Sequence, residues 1–98
     1  MKLLFLMYLE DDDAMVERRL QELDVTVYSR IGLEGQGGGG GGWYGEAVPY
    51  RSRMAFAVLP DDQADRLLAN VRSWTGAADP AHPVRAFIVR VEDAAASS

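Results

Sequence analysis

Leu3-Leu4-Phe5-Leu6-Met7-Tyr8-Leu9 and Met54-Ala55-Phe56-Ala57-Val58-Leu59 are two apolar runs without the polar alternation of a half-exposed strand. Such a run fits a strand covered on both faces or lying in the middle of a sheet. Outward from the first run, Asp11, Asp12 and Asp13 supply an N-cap and negative charge for the positive end of a helix dipole. Val16, Leu20 and Leu23 follow at i, i+4 and i+7, which predicts an amphipathic helix of about three turns. Asp24 ends it, and Val25–Ile31 is β-branched and aromatic with a loose period of two, as expected of a half-exposed strand. Outward from the second run, Pro60 and Asp61 stop the strand and open a helix with Ala64, Leu67, Leu68, Val71 and Trp74 on one stripe. Thr75–Pro83 carries Gly76, Pro80 and Pro83 and reads as a loop, Val84–Val91 as a last strand, and Glu92–Ser98 as a frayed polar tail.

The order is β-α-β-β-α-β. Right-handed crossovers place the first and third strands side by side in the centre, and these are the two fully apolar ones. Local pattern and topology agree on a ferredoxin-like α/β (α+β) sandwich: a four-stranded antiparallel sheet with two helices on one face, forming a single domain over 1–98. Two helices cover only one face of the sheet, so the second apolar face is expected to pack against a partner chain. The 98 residues, 48% hydrophobic and 26% charged, suffice for one domain with a core. A net charge of −5 argues against broad affinity for nucleic acid or an anionic membrane, so any anion site must be local. The absence of cysteine removes disulfides, thiolate metal sites and nucleophilic thiols, and suits a reducing compartment. No run has the length of a membrane span, and no signal peptide is apparent; a cytoplasmic protein without membrane insertion is expected.

Eight of the ten glycines fall between Gly35 and Gly45, six of them in the unbroken run Gly37–Gly42. The stretch from Gly32 to about Ser52 is expected to be a long loop between the second and third strands, mobile when empty, because each glycine loses the most backbone entropy on ordering. Gly35-x-Gly37-x-x-Gly40 matches a dinucleotide fingerprint only formally, since no helix follows it. The return of the loop carries Trp43, Tyr44, Glu46, Tyr50, Arg51 and Arg53. Aromatics beside arginines suit stacking on a base with contact to phosphate, and equally suit docking the loop onto a neighbouring subunit. Arg51 and Arg53 share one side of an extended strand start, and Arg85 and Arg90 lie on the last strand; they read as an anion site or as solvated edge charges. A metal site would require His82, the one histidine, to meet carboxylates such as Glu10 or Asp11–Asp13, and no metal site is assigned. No Ser-His-Asp or Cys-His set exists, so no catalytic residue is assigned and the chain reads as a non-enzyme.

Thr26-Val27-Tyr28-Ser29-Arg30-Ile31-Gly32-Leu33-Glu34-Gly35-Gln36-Gly37-Gly38, with the element order, resembles the PII-like signal-transduction proteins. Their corresponding stretch reads Thr-Val-x-x-Val-x-Gly-x-Gly-x-Gln-x-Gly and leads into the T-loop; Thr26, Val27, Gly32, Gln36 and Gly38 coincide without a gap. Thr75-Gly76 looks like the start of the family's B-loop, and Arg85 with Phe87 like the basic residue and phenylalanine that open its next strand. Glu34 and Gly35 stand where the family has glycine and a basic residue, and residues 77–83 lack its glycine-rich phosphate cradle. The resemblance implies a homotrimer whose sheets pack inward. It also implies a small anionic effector, typically an adenine nucleotide, bound in clefts between subunits near Gly32, Gly35, Gln36, Arg51, Arg53 and Arg85. A loop over 37–50, with Trp43, Tyr44, Glu46 and Tyr50, would report to a partner protein such as a transporter or enzyme. Trp43-Tyr44-Gly45-Glu46 also resembles an aromatic-Lys-Gly-Glu stretch of the related CutA group, which implies association with a divalent metal. A small dimeric ferredoxin-like enzyme is the third reading.

Overall fold

The computed structural model describes residues 1–35 and 50–97. Its elements run β1 (Lys2–Leu9), a 3-10 turn (Glu10–Asp12), α1 (Asp13–Glu22), β2 (Ser29–Gly35), β3 (Tyr50–Leu59), α2 (Asp61–Val71) and β4 (Arg85–Arg90). The strands form one antiparallel sheet in the order β2-β3-β1-β4, so the two apolar runs are its centre. The α+β ferredoxin-like sandwich expected from the pattern is the fold observed.

Leu4 lies opposite Ala57, and Leu6 opposite Ala55. These residues, with Tyr8 and Leu59, form the buried face, which Val16 and Leu20 of α1 and Ala64 and Leu67 of α2 complete. Helical spacing of three and four within each helix supplies those contacts. Pro60 precedes α2 in extended conformation, and its carbonyl accepts the N–H of Ala64 at 3.0 Å.

Three boundaries differ from the sequence reading. The second strand begins at Ser29 instead of Val25. Asp24 adopts φ +59°, Val25 N–H bonds to Leu20 O at 2.9 Å and Asp24 N–H to Gln21 O at 3.1 Å, which is a Schellman ending of α1. Val25 is buried as the apolar residue that closes this motif, while Val27 is 85% exposed in the connection. Residues 32–35 and 50–52, expected in the loop, are strand, paired from Gly32↔Arg53 to Gly35↔Tyr50. The segment between the strands is therefore 36–49, which lies outside the described residues. Finally, α2 ends at Val71, and Trp74 sits in the turn after it, its N–H bonded to Val71 O at 3.0 Å.

No described element covers the opposite face of the sheet. By register it presents Leu3, Phe5 and Met7, Met54, Phe56 and Val58, Ile31, and Phe87 and Val89. Val58 is 55% exposed and Val89 50%, and the Phe5 and Phe56 rings lie 6.5 Å apart. A contiguous apolar surface of this kind marks an interaction face. Among the described residues, no helix is long and apolar enough to cross a membrane.

Candidate functional site

Two clefts flank the core. The first, of about 520 Å³, lies where β2 and β3 leave the sheet and is lined by Glu10, Gly32, Leu33, Glu34, Arg51, Ser52 and Arg53. It exists because the hairpin runs past the 3-10 turn, so Arg53, opposite Tyr8 and Gly32, faces the start of α1. Arg53 Nη2 donates to Glu10 Oε1 at 3.4 Å, and its Nε lies 3.2 Å from Asp13 Oδ2. The other Asp13 oxygen accepts Tyr8 Oη–H at 2.9 Å and Arg30 Nη1–H at 3.0 Å. Asp13 is thus the hub of a network joining β1, β2, β3 and α1. Burial, and then the hydrogen bond to Asp13 and its charge, hold the Tyr8 phenol well above its ordinary range. The same carboxylate raises the Arg30 guanidinium. Arg51, opposite Glu34, makes no ion pair with a described residue. A Cβ at Gly32 would meet nothing within 4 Å, so the space beside this wall is open.

The second cleft, of about 430 Å³, lies between the end of α2, the segment after it and β4. Its apolar wall includes Met15, Leu68, Val71 and Trp74, its cations are Arg72 and Arg85, and none of the described lining residues is acidic. The Trp74 indole N–H donates to Asn70 Oδ1 at 2.7 Å, which fixes the ring.

The segment over 75–83 is tied down from both sides. Gly76 has φ +87°, a conformation an L side chain rarely adopts. Asp12, 3% exposed, accepts the N–H of Ala78 at 2.8 Å on one carboxylate oxygen, while its other oxygen has no hydrogen-bond partner. His82 is buried with its Nδ1 2.9 Å from Asp79 Oδ2. The Ala81 N–H and then His82 hold the Asp79 carboxyl below the usual range. His82 thus pairs with Asp79, and among the described residues no group of three or more His, Asp or Glu side chains is placed to hold a metal ion.

Of the residues singled out from the sequence, Gly32, Arg51 and Arg53 meet in the β2–β3 cleft, with Gly35 at its end of β2. Arg85 does not join them in one chain. It lies opposite Met7, on the other face of the sheet from Arg53, and β4 is three strand spacings, about 14 Å, from β2. Tyr50 opens β3 opposite Gly35. Gln36, Trp43, Tyr44 and Glu46 lie outside the described residues. The sequence reading missed Asp13 as a hub and Arg72 as a cleft residue. The signal for the first was Tyr8, since a phenol in a central strand needs a hydrogen-bond acceptor nearby.

No protein-family model matches this sequence, and no curated protein does. Solved structures do. CPII, a nitrogen regulatory PII-like protein from Thiomonas intermedia K12 bound to ADP, AMP and bicarbonate, aligns with a TM-score of 0.59 at 19% identity, over 96% of this chain and 94% of that one. A protein from Thermus thermophilus described as a PII-like signaling protein aligns with a TM-score of 0.62 at 15% identity, over 90% and 83%. The chain has the fold of the PII-like proteins.

Proposed function

We propose that this chain is a PII-like regulator, not an enzyme. It assembles as a homotrimer through its open sheet face and binds a small anionic effector, an adenine nucleotide, in clefts between subunits. The observation that carries the reading is the β2–β3 cleft. It gathers Gly32, Arg51 and Arg53 at the roots of the glycine-rich segment, in a fold whose relative CPII is bound to ADP, AMP and bicarbonate. Gly35, at the end of β2, and Gln36, next in the chain, belong to the same effector site, and Arg85, on the far face of the sheet, is supplied by a neighbouring copy. The uncovered apolar face supports assembly, because burying it offsets exposure that a monomer would bear. Effector binding is signalled through residues 37–50, where Trp43, Tyr44, Glu46 and Tyr50 report it to a protein partner, a transporter or an enzyme, in the cytoplasm.

The test combines light scattering with calorimetric titration of ATP, ADP, AMP, cyclic nucleotides and bicarbonate. A trimer that binds an adenine nucleotide, with affinity reduced about tenfold or more in Arg51→Gln, is the expected result. A dimer, or a trimer with no response to any of these ligands, overturns it.

A further inference from the structure

The charges on the β2–β3 hairpin narrow the choice of effector, on the reading that its cleft is the effector site. We infer that the site takes a nucleoside monophosphate and that Glu34 rejects nucleotides carrying further phosphates. Register sets Gly32 opposite Arg53 and Glu34 opposite Arg51, and both pairs share the face of the sheet that carries Tyr8. Side chains directly opposite on neighbouring strands start about 5 Å apart, so an anion that reaches Arg51 also meets the Glu34 carboxylate. Arg53 offers little surplus charge, because Glu10 and Asp13 both lie within ion-pair distance of it. The described charged residues of the lining are therefore balanced, Glu10 and Glu34 against Arg51 and Arg53.

Composition extends this balance beyond the lining. Residues 36–49, which join the two strands, contain no Lys or Arg and add the acid Glu46. Residues 75–84, which lead to Arg85, contain no Lys or Arg either and add Asp79. Neither segment can bring a lysine or arginine to the phosphates. A single phosphate, with about two negative charges at neutral pH, can take Arg51, which makes no ion pair with a described residue. A second and a third phosphate add about one negative charge each and meet the Glu34 carboxylate without a further cation from the hairpin. Like charges brought together in this way lower affinity and set specificity.

The full chain is titrated calorimetrically with AMP, ADP and ATP at low salt in the presence of a chelator, so that phosphate charge is neither screened nor bridged by a divalent cation. Affinity is expected to fall in that order, with ATP about tenfold weaker than AMP or more. Glu34→Gln should raise ATP affinity about fivefold or more and change AMP affinity by about twofold or less, a gain that misfolding cannot produce. Asp62→Asn removes an equal charge from the first turn of α2, beyond the opposite end of β3 and about 26 Å along that strand from Arg51. It should leave the ATP-to-AMP ratio as in the parent. ATP bound as tightly as AMP, a ratio unaltered by Glu34→Gln, or an equal shift in Asp62→Asn overturns this inference and leaves the effector reading in place. No binding of any adenine nucleotide overturns both.

Discussion

The β2–β3 cleft and the α2–β4 cleft each hold two arginines, yet they are electrostatically unlike. In the first, Arg53 is matched by Glu10 and Asp13, and Arg51 stands opposite Glu34. In the second, Arg72 and Arg85 share the lining with apolar side chains and, among the described residues, no acid. Arginine content alone therefore does not locate an anion site; what matters is whether carboxylates already occupy the same space. In the first cleft, one guanidinium is committed to positioning the start of α1, which leaves Arg51 as the side chain with charge to offer an incoming anion.

Removing the hub should have the largest effect on this contrast. Asp13→Ala strips the buried Tyr8 hydroxyl of its acceptor and releases Arg30 and Arg53 together. The expected loss is about 2 kcal/mol in urea unfolding, since the Asp13 and Arg53 side chains keep 24% and 29% of their exposure and solvent screens part of their attraction. The variant should also gain affinity for inorganic phosphate, because Arg30 and Arg53 lose the carboxylate they share; unchanged stability would show that Asp13 is not a hub. Alkaline pH probes the same network. Tyr8 has its folded pKa raised above the ordinary 10.0, so its contribution is fully present below pH 10 and is lost as pH rises toward the folded value. At pH 11 the unfolded chain has released a proton that folded Tyr8 retains, which costs about 1.4 kcal/mol. Tyr8→Phe should flatten this alkaline limb, and an identical limb in both proteins would remove Tyr8 as its source.

The parts of the fold visible in the sequence are those where burial and local pattern coincide. The runs of β1 and β3 are central strands, and Ala64, Leu67 and Val71 of α2 pack as their spacing requires. Side-chain preference misplaces the second strand because Val25 and Val27 are strand formers, whereas the residues that pair with β3 include Arg30, Gly32 and Glu34. An edge strand with an exposed face is set by pairing with its neighbour and not by intrinsic preference. Asp24 in the left-handed region gives no sign of itself, since aspartate also serves as an ordinary cap or turn residue. For the site, Gly32, Arg51 and Arg53 are legible as neighbours because the hairpin brings them together over a short span of chain. The separation of Arg85 is not, because it depends on pleat parity across β1 and on the strand order. Asp13 reads as a helix start, which it is, but its contacts with Tyr8, Arg30 and Arg53 are long-range or cross-element and leave no local pattern.

Smaller effects test the second cleft and then the first. Asp12 keeps one oxygen on Ala78 N–H and buries the other without a partner, so its acceptor and its charge can be separated. Asp12→Ala leaves the Ala78 N–H unpaired and should cost about 1 kcal/mol, while Asp12→Asn keeps an acceptor, removes a buried charge and should stay within about 0.5 kcal/mol of the parent. Equal losses in both would mean that the charge itself anchors residues 75–83 and that the hydrogen bond to Ala78 contributes little. Arg51→Gln should change stability least, by less than about 0.5 kcal/mol, because the side chain is exposed and has no ion-pair partner among the described residues. A stability loss as large as that of Asp13→Ala would place Arg51 in a structural network and erase the distinction between the committed and the available arginine. An unaltered urea midpoint combined with weakened nucleotide binding would instead assign its charge to the ligand.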